Sequence, residues 1–163
     1  MDSVIVFCAK YLIVLVGLVG LYVWLKQTNS GKLRLAATVV FGGIIALIVS
    51  KIAQKLYYDP RPFVAHNVKA LFSHSADNGF PSDHTLYSMV VATAVYFYDR
   101  KWASLAFILT LIIGIARVAA HVHSPIDIIG ALIIGAIASS CGYYLARLLW
   151  PSRPLAKTGA PRG

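Results

Sequence analysis

The segment "ARVAAHVHSPID" places Arg117, His123 and Asp127 within eleven residues. His123 precedes a Ser-Pro helix start and Asp127 lies one turn beyond it, so the carboxylate can reach one imidazole nitrogen. Such a pair fixes the tautomer and leaves the other nitrogen free to attack an electrophile. A simpler interpretation stays open, because Ser124, Pro125 and Asp127 also form a capping-box pattern. Arg117 alone could snorkel at a membrane interface.

Further residues could hold an anion for that nucleophile to attack. Arg61 and Arg117 carry planar guanidinium forks that suit phosphate oxygens, and Lys55 could add a point charge. Ser82, in "FPSDHT", opens a predicted helix and offers a hydroxyl and free backbone N–H groups. Phosphoryl transfer needs mainly such positioning and charge neutralisation. These residues therefore predict a phosphate cradle above a histidine nucleophile.

A second histidine is expected to protonate the leaving group, and His84 fits because it lies two residues after Ser82. Asp83 stands between them, where a carboxylate repels a phosphate unless a cation intervenes. His121 is expected to be structural or interfacial. His66 and His74, in the loop before "FPSDHT", are expected to be solvated rather than ligands.

The composition predicts a membrane protein. The chain has 163 residues, of which 58% are hydrophobic and 13% charged, with a mean hydropathy of +0.71. Soluble domains are about 45–50% apolar and about 25% charged. The apolar runs cover about 4–25, 35–57, 82–98, 102–119 and 125–150. We therefore expect an all-α, polytopic membrane helix bundle with about five transmembrane helices. It should form one domain, 1–150, followed by a basic, flexible tail, 151–163.

The loop of residues 58–83 is the longest polar stretch. It is expected to carry part of the active site and a short surface helix around Asn67 to His74. Gly42, Gly43, Gly130 and Gly135 fall within apolar runs, where small residues let helices approach closely.

The net charge of +9 indicates membrane orientation rather than nucleic-acid binding, because the basic residues are divided among short segments between apolar runs. Nine of them fall in 26–34, 99–101 and the C-terminal segment from Arg147 onward, against five at the other ends of the runs. The positive-inside tendency puts the larger group in the cytoplasm. The N-terminus, the 58–83 loop and "HVHSP" are then expected to face outward.

The two cysteines, Cys8 and Cys141, lie inside apolar runs without metal-like spacing. No disulfide, metal site or cofactor is predicted.

Three segments together resemble a known family. "KLYYDPRP", "PSDH" and the R-x5-H-x3-D pattern from Arg117 to Asp127 resemble the signature motifs of the type 2 phosphatidic acid phosphatase (PAP2) superfamily. "DPRPFVAH" followed by "FPSDHT" is similar to the BcrC-type undecaprenyl-diphosphatases of bacteria. The resemblance implies a phosphohistidine on His123, a proton from His84 to the leaving oxygen, and no metal. It also places Arg61, Ser82 and Arg117 on the phosphate.

The resemblance further implies a bacterial cell-membrane enzyme that converts undecaprenyl diphosphate to undecaprenyl phosphate for the cell-wall lipid carrier. The sequence departs from the family pattern at several positions. Gln54 stands where the first motif usually has lysine, with Lys55 next to it; Asp83 replaces a usual glycine; and Ala116 replaces a frequent serine. Many relatives have six spans, whereas this chain has about five.

Three alternatives stay open. The same site could serve a phosphatidylglycerophosphate or phosphatidate phosphatase. A transporter relaying protons through His84, His123 and Asp127 would need polar residues through the depth of several helices, but here they concentrate at one level. A catalytically inactive lipid-binding protein would not require the intact histidine, aspartate and arginine set.

Overall fold

The computed structural model describes residues 1–151 and contains six helices. They are α1 (Asp2–Lys26), α2 (Asn29–Leu56), α3 (Pro62–Ala65), α4 (Asp83–Tyr96), α5 (Arg100–Ala119) and α6 (Pro125–Leu149). The described residues form no β-strand, only one isolated bridge between Pro60 and Asn78. The predicted all-α class is confirmed. From residue 152 on, the predicted tail lies outside the described residues.

Four helices, α1, α2, α5 and α6, are long and apolar enough to cross a membrane by length and composition. About five spans were expected, and the third of them along the chain, α4, is not among these four. It has only 14 residues, or about 21 Å at 1.5 Å per residue. It packs against all four longer helices, so the shortest of these five packed helices occupies the centre of the bundle. Its buried apolar side chains are Leu86, Val90, Ala92, Ala94 and Val95.

Two tight connections lie at one end of the bundle. Thr28 caps α2 by accepting the Gly31 N–H at 3.3 Å. It starts this helix six residues before the apolar run that predicted it. Asp99 caps α5 by accepting the N–H groups of Lys101 and Trp102. Because these turns are short, the end of α2, the start of α4, the end of α5 and the start of α6 all meet at the opposite end. The predicted convergence of four helix ends is confirmed.

The surface helix predicted around Asn67 to His74 is wrong. The loop instead forms α3, which Arg61 and Pro62 open; proline favours the first helical position because its φ is already helical. Asn67 has a φ of 52°, the left-handed region, which cannot continue a right-handed helix.

Asn78 fastens the end of the loop to α2. Its side-chain amide donates to the carbonyls of Gln54, at 3.1 Å, and Tyr57, at 2.9 Å. Its carbonyl oxygen accepts the N–H groups of Asp59 and Phe80, each at 3.0 Å. One side chain thus holds both ends of the loop against the last turn of α2, where the carbonyls otherwise lack partners.

Glycines allow the closest helix approach, between α2 and α6. A Cβ at Gly142 would lie 2.5 Å from the Gly42 nitrogen and 2.6 Å from the Thr38 carbonyl oxygen. The packing role predicted for Gly42 and Gly135 is confirmed, because a Cβ at either would meet backbone atoms within 3 Å. Gly43 does not share it, since a Cβ there meets nothing within 4 Å.

Gly142→Ala is therefore expected to push α2 and α6 apart and to lower the free energy of unfolding by about 1–3 kcal/mol, the usual effect of overpacking. Gly43→Ala, on the same pair of helices but in open space, is the matched control and should leave the free energy of unfolding unchanged or raise it by up to about 1 kcal/mol, since alanine is the better helix former. Thermal unfolding in detergent measures both. Equal effects of the two substitutions would contradict this packing.

Candidate active site

His123 and Asp127 form a buried pair at the turn between α5 and α6. Their side chains are 2% and 1% exposed, and His123 Nδ1 lies 3.1 Å from Asp127 Oδ2. The same oxygen accepts the Ser124 backbone N–H at 2.9 Å. The two interpretations of Asp127 are therefore compatible, because one carboxylate oxygen contacts both the helix start and the imidazole.

Two guanidinium groups meet at the other nitrogen of His123. Arg61 Nη1 lies 3.2 Å and Arg117 Nη2 lies 3.1 Å from His123 Nε2. Since a guanidinium can only donate, Nε2 must be the acceptor and Nδ1 must carry the proton that it donates to Asp127. The hydrogen-bond network thus assigns the tautomer with an unprotonated, nucleophilic Nε2.

The surroundings of His123 keep it neutral. Burial, followed by the charges of Arg117 and Arg61, lowers the pKa of His123 to about 2. The imidazole therefore has a free lone pair at neutral pH, which a nucleophile requires.

The two arginines are held differently. Arg61 is 6% exposed; its Nε donates to Asp77 at 2.8 Å, and its Nη1 to the Val122 carbonyl at 2.8 Å. Arg117 is 2% exposed, and its Nη1 donates to the Ala9 carbonyl at 3.2 Å. Within residues 1–151, Arg117 forms no salt bridge, and its buried Nε has no hydrogen-bond partner. Its charge is therefore left for an incoming anion.

These groups line a polar cavity of about 270 Å³. Charged, amide and imidazole side chains dominate its wall: the lining residues are Lys51, Gln54, Arg61, His74, Asp77, Asn78, Pro81, Asp83, His84, Arg117 and His123. Of the residues singled out from sequence, the structure brings Arg61, Asp83, His84, Arg117 and His123 to this cavity. Asp127 lies behind His123. Within residues 1–151 no group of three or more histidine, cysteine or acidic side chains is arranged to hold a metal ion.

Ser82 is placed differently from the expectation. It is fully buried and does not line the cavity. Its hydroxyl accepts a hydrogen bond from Thr85 Oγ1 at 3.3 Å, and its N–H donates to the Asp127 carbonyl at 3.3 Å. The N–H that was expected to face phosphate instead joins the start of α4 to the start of α6, and the hydroxyl pairs with Thr85 within the first turn of α4.

Lys55 also needs correction. It is exposed and does not line the cavity, whereas Lys51, one helical turn earlier, does. Residues four apart on a helix share a face and lie about 6 Å apart along the axis, so Lys51 and Lys55 differ mainly in their distance along α2. Lys51 Nζ donates to Gln54 Oε1 at 3.3 Å. The glutamine at the family's lysine position thus holds a lysine from the preceding turn.

His74 was expected to be solvated, and this expectation is wrong. Its Nε2 lies 3.1 Å from Arg117 Nη2, and its ring meets that of His123 edge to face at 6.0 Å. His66 is exposed, as expected. His121 is exposed with a φ of 60°, and its Nδ1 donates to the Lys69 carbonyl at 3.2 Å, which fits a structural role.

The family profile described as the PAP2 superfamily matches residues 32–150. The chain belongs to the PAP2 superfamily. The matched region contains every residue of the cavity. The resemblance noted from the three motifs is confirmed, and the chain is a multi-pass membrane phosphatase of this superfamily.

Individual relatives agree with this assignment. The chain is 36% identical over 152 residues to undecaprenyl-diphosphatase BcrC of Bacillus subtilis strain 168, across 93% of this chain and 78% of that protein. It is 32% identical over 151 residues to putative undecaprenyl-diphosphatase YbjG of Escherichia coli K12, across 92% and 74%. The crystal structure of Aquifex aeolicus LpxE matches with a TM-score of 0.67 at 20% identity, covering 88% of this chain and 85% of that one. The last similarity shows a shared fold.

Lys51→Ala is expected to lower kcat/KM for lipid phosphates by about 10- to 100-fold, because a charge-assisted hydrogen bond to phosphate contributes about 1.5–3 kcal/mol. Lys55→Ala on the same helix is the matched control, and we expect it to stay within about twofold of the parent. Phosphate release by the purified variants measures both. A larger loss for Lys55→Ala would contradict the placement of these lysines.

Proposed function

We propose that this protein is an undecaprenyl-diphosphatase, which hydrolyses undecaprenyl diphosphate to undecaprenyl phosphate and inorganic phosphate. The observation that carries the proposal is the convergence of two buried guanidinium groups on Nε2 of a histidine whose Nδ1 faces a buried carboxylate. The names of the relatives that are 36% and 32% identical support this substrate over other lipid phosphates.

In the first step, the terminal phosphate enters between Arg61 and Arg117, which exchange their hydrogen bonds to His123 for bonds to phosphate oxygens. Nε2 attacks phosphorus, and the bond from phosphorus to the bridging oxygen breaks. The leaving group is undecaprenyl phosphate, whose oxygen takes a proton from His84, which the negative charge of the bound diphosphate favours in its protonated form. The Asp127 carboxylate stabilises the positive charge that develops on the ring.

In the second step, water attacks the phosphohistidine. His84, now unprotonated, takes a proton from that water, and the bond from phosphorus to Nε2 breaks. Inorganic phosphate leaves, and His123 and His84 return to their starting states. Arg61 and Arg117 stabilise the charge on the transferred group in both steps, which is the main requirement of phosphoryl transfer.

The remaining cavity residues have supporting roles in this proposal. Lys51, in place of Lys55, supplies a cation at the α2 wall, where it can contact the second phosphate of the substrate. Asp83 lines the cavity but is exposed, so its carboxylate can face water and avoid repulsion by phosphate. Ser82 acts through the backbone by joining α4 to α6.

We further propose a bacterial cell-membrane location, with residues 1–150 as one domain and the cavity on the extracytoplasmic side. The end of the bundle opposite the cavity carries six basic residues in the described range and one acidic residue, Asp99. The basic residues are Lys26, Lys32, Arg34, Arg100, Lys101 and Arg147. Such an excess favours the cytoplasm for that end. The lipid would then reach the cavity from the outer leaflet.

Purified protein in lipid nanodiscs with EDTA is expected to release phosphate from undecaprenyl diphosphate faster than from phosphatidylglycerophosphate. His123→Ala should lower the rate about 1,000-fold or more, as loss of a nucleophile does. His66→Ala, which removes an exposed histidine of the 58–83 loop, is the matched control and should leave the rate unchanged. In right-side-out vesicles containing the same lipid, phosphate should appear in the outer medium.

Faster release from phosphatidylglycerophosphate would keep the chemistry but contradict the proposed substrate. Release into the vesicle lumen would contradict the proposed orientation. Folded protein that releases phosphate from neither lipid would contradict the enzymatic proposal as a whole.

A further inference from the structure

We propose that His74 is a positioning residue that holds the Arg117 guanidinium in the phosphate cradle, which makes the outer loop part of the catalytic machinery. The inference rests on the proposed phosphatase function and assigns a role to a residue outside the three sequence motifs. It concerns what holds the Arg117 guanidinium in position while the substrate binds and the phosphoryl group is transferred.

The contacts of Arg117 carry the inference. Its Nη2 is shared by two imidazoles, because it lies 3.1 Å from His74 Nε2 and 3.1 Å from His123 Nε2. Its Nη1 donates to the Ala9 carbonyl of α1 at 3.2 Å. His123 must lose its hydrogen bond to Arg117 Nη2 when phosphate binds. His74 and Ala9 do not react, so they can keep both terminal nitrogens in place.

The chemistry of the acceptor matters as much as its position. A carboxylate at residue 74 would also hold Arg117 but would offset its charge, as Asp77 does for Arg61 at 2.8 Å. A neutral imidazole fixes the guanidinium and leaves its charge for the phosphate. Preorganised donors of this kind need no rearrangement as charge shifts in the transition state.

His74 can accept this hydrogen bond only while it is neutral. Burial, then the charges of Arg61 and Arg117, lowers the pKa of His74. The other titratable groups that act on it or feel its charge are Asp77 of its own loop, His84 of α4 and His123. Arg117, which needs His74 as a neutral acceptor, thus helps, together with burial and Arg61, to keep it neutral.

The loop segment before His74 fixes its position. The Leu71 N–H donates to the Ala120 carbonyl at 3.2 Å, which ties the loop to the end of α5. The Phe72 ring lies 6.0 Å from the Arg117 guanidinium carbon, within cation–π range. The loop therefore contacts the guanidinium with an aromatic ring as well as with the imidazole.

Three variants test the inference. His74→Gln retains a side-chain oxygen that can accept from Arg117, His74→Leu removes the acceptor at similar volume, and His66→Leu is the control on the same loop. Two measurements are made: the affinity for orthovanadate, which mimics the transferred phosphoryl group, and kcat/KM on whichever lipid phosphate the parent hydrolyses fastest. Thermal unfolding verifies that each variant is folded.

We expect His74→Leu to weaken vanadate binding and kcat/KM by about 10- to 100-fold, the effect of losing a hydrogen bond to a charged group. His74→Gln should recover most of this loss, and His66→Leu should match the parent. A folded His74→Leu that matches the parent would overturn the inference. So would a folded His74→Gln as impaired as His74→Leu, because the acceptor would then not be what matters.

The test separates this inference from the proposed substrate. If the parent prefers another lipid phosphate and the variants keep the expected order, the substrate proposal fails while the role of His74 stands. If the parent hydrolyses undecaprenyl diphosphate and His74→Leu is unimpaired, the substrate proposal stands and the role of His74 fails. If the parent neither binds vanadate nor hydrolyses any lipid phosphate, there is no cradle to position and the inference fails too.

Discussion

The buried positive charge of Arg117 is the constraint on which the rest of the site depends. Removing a charge from water is costly unless hydrogen bonds or an opposite charge compensate it. Arg117 is 2% exposed, and its hydrogen-bond partners are a carbonyl and two imidazoles, all neutral acceptors. These partners come from α1, the 58–83 loop and the α5–α6 turn, so three separate elements must meet around one guanidinium. The arrangement satisfies its donors only in part and suits a phosphate, which brings the missing negative charge.

The turns and the loop that connect the helices bring these elements together around Arg117. With short turns at one end of the bundle, the other ends of α2, α4, α5 and α6 lie at the opposite end, where packing between these helices holds them together. Asn78 fixes the loop to the last turn of α2. Gly79 then passes so close to the buried pair that a Cβ there would lie 2.7 Å from Asp127 Oδ2. The backbone of the loop covers the Asp127 carboxylate, and only glycine leaves enough room. Membrane helices and a polar loop thus build one site, and neither part holds the phosphate cradle alone.

Sequence patterns predicted what depends on local geometry. The His123–Asp127 contact follows from a helix start between the two residues, and the convergence of helix ends follows from the order of apolar runs. The positions that were missed depend on tertiary structure. Lys55 was favoured by its nearness to the motif, but the direction of α2 brings Lys51 to the cavity instead. No periodic pattern in the loop indicated that His74 contacts Arg117. The path of the loop depends instead on the backbone conformation of Asn67 and on the contacts of Leu71 and Asn78. Ser82 precedes the first residue of α4, as predicted, but its hydroxyl and its N–H form hydrogen bonds with Thr85 and Asp127.

The central claim is that His123 Nε2 becomes covalently phosphorylated during turnover. Rapid quenching of the enzyme with undecaprenyl diphosphate, followed by mass spectrometry at neutral to basic pH, tests it directly, since phosphohistidine is labile in acid. The account predicts one transient phosphoryl group on the peptide that contains His121 and His123, with fragmentation assigning it to His123. A phosphoryl group on His84 or His74, or full turnover with no phosphoenzyme under trapping conditions, would contradict it.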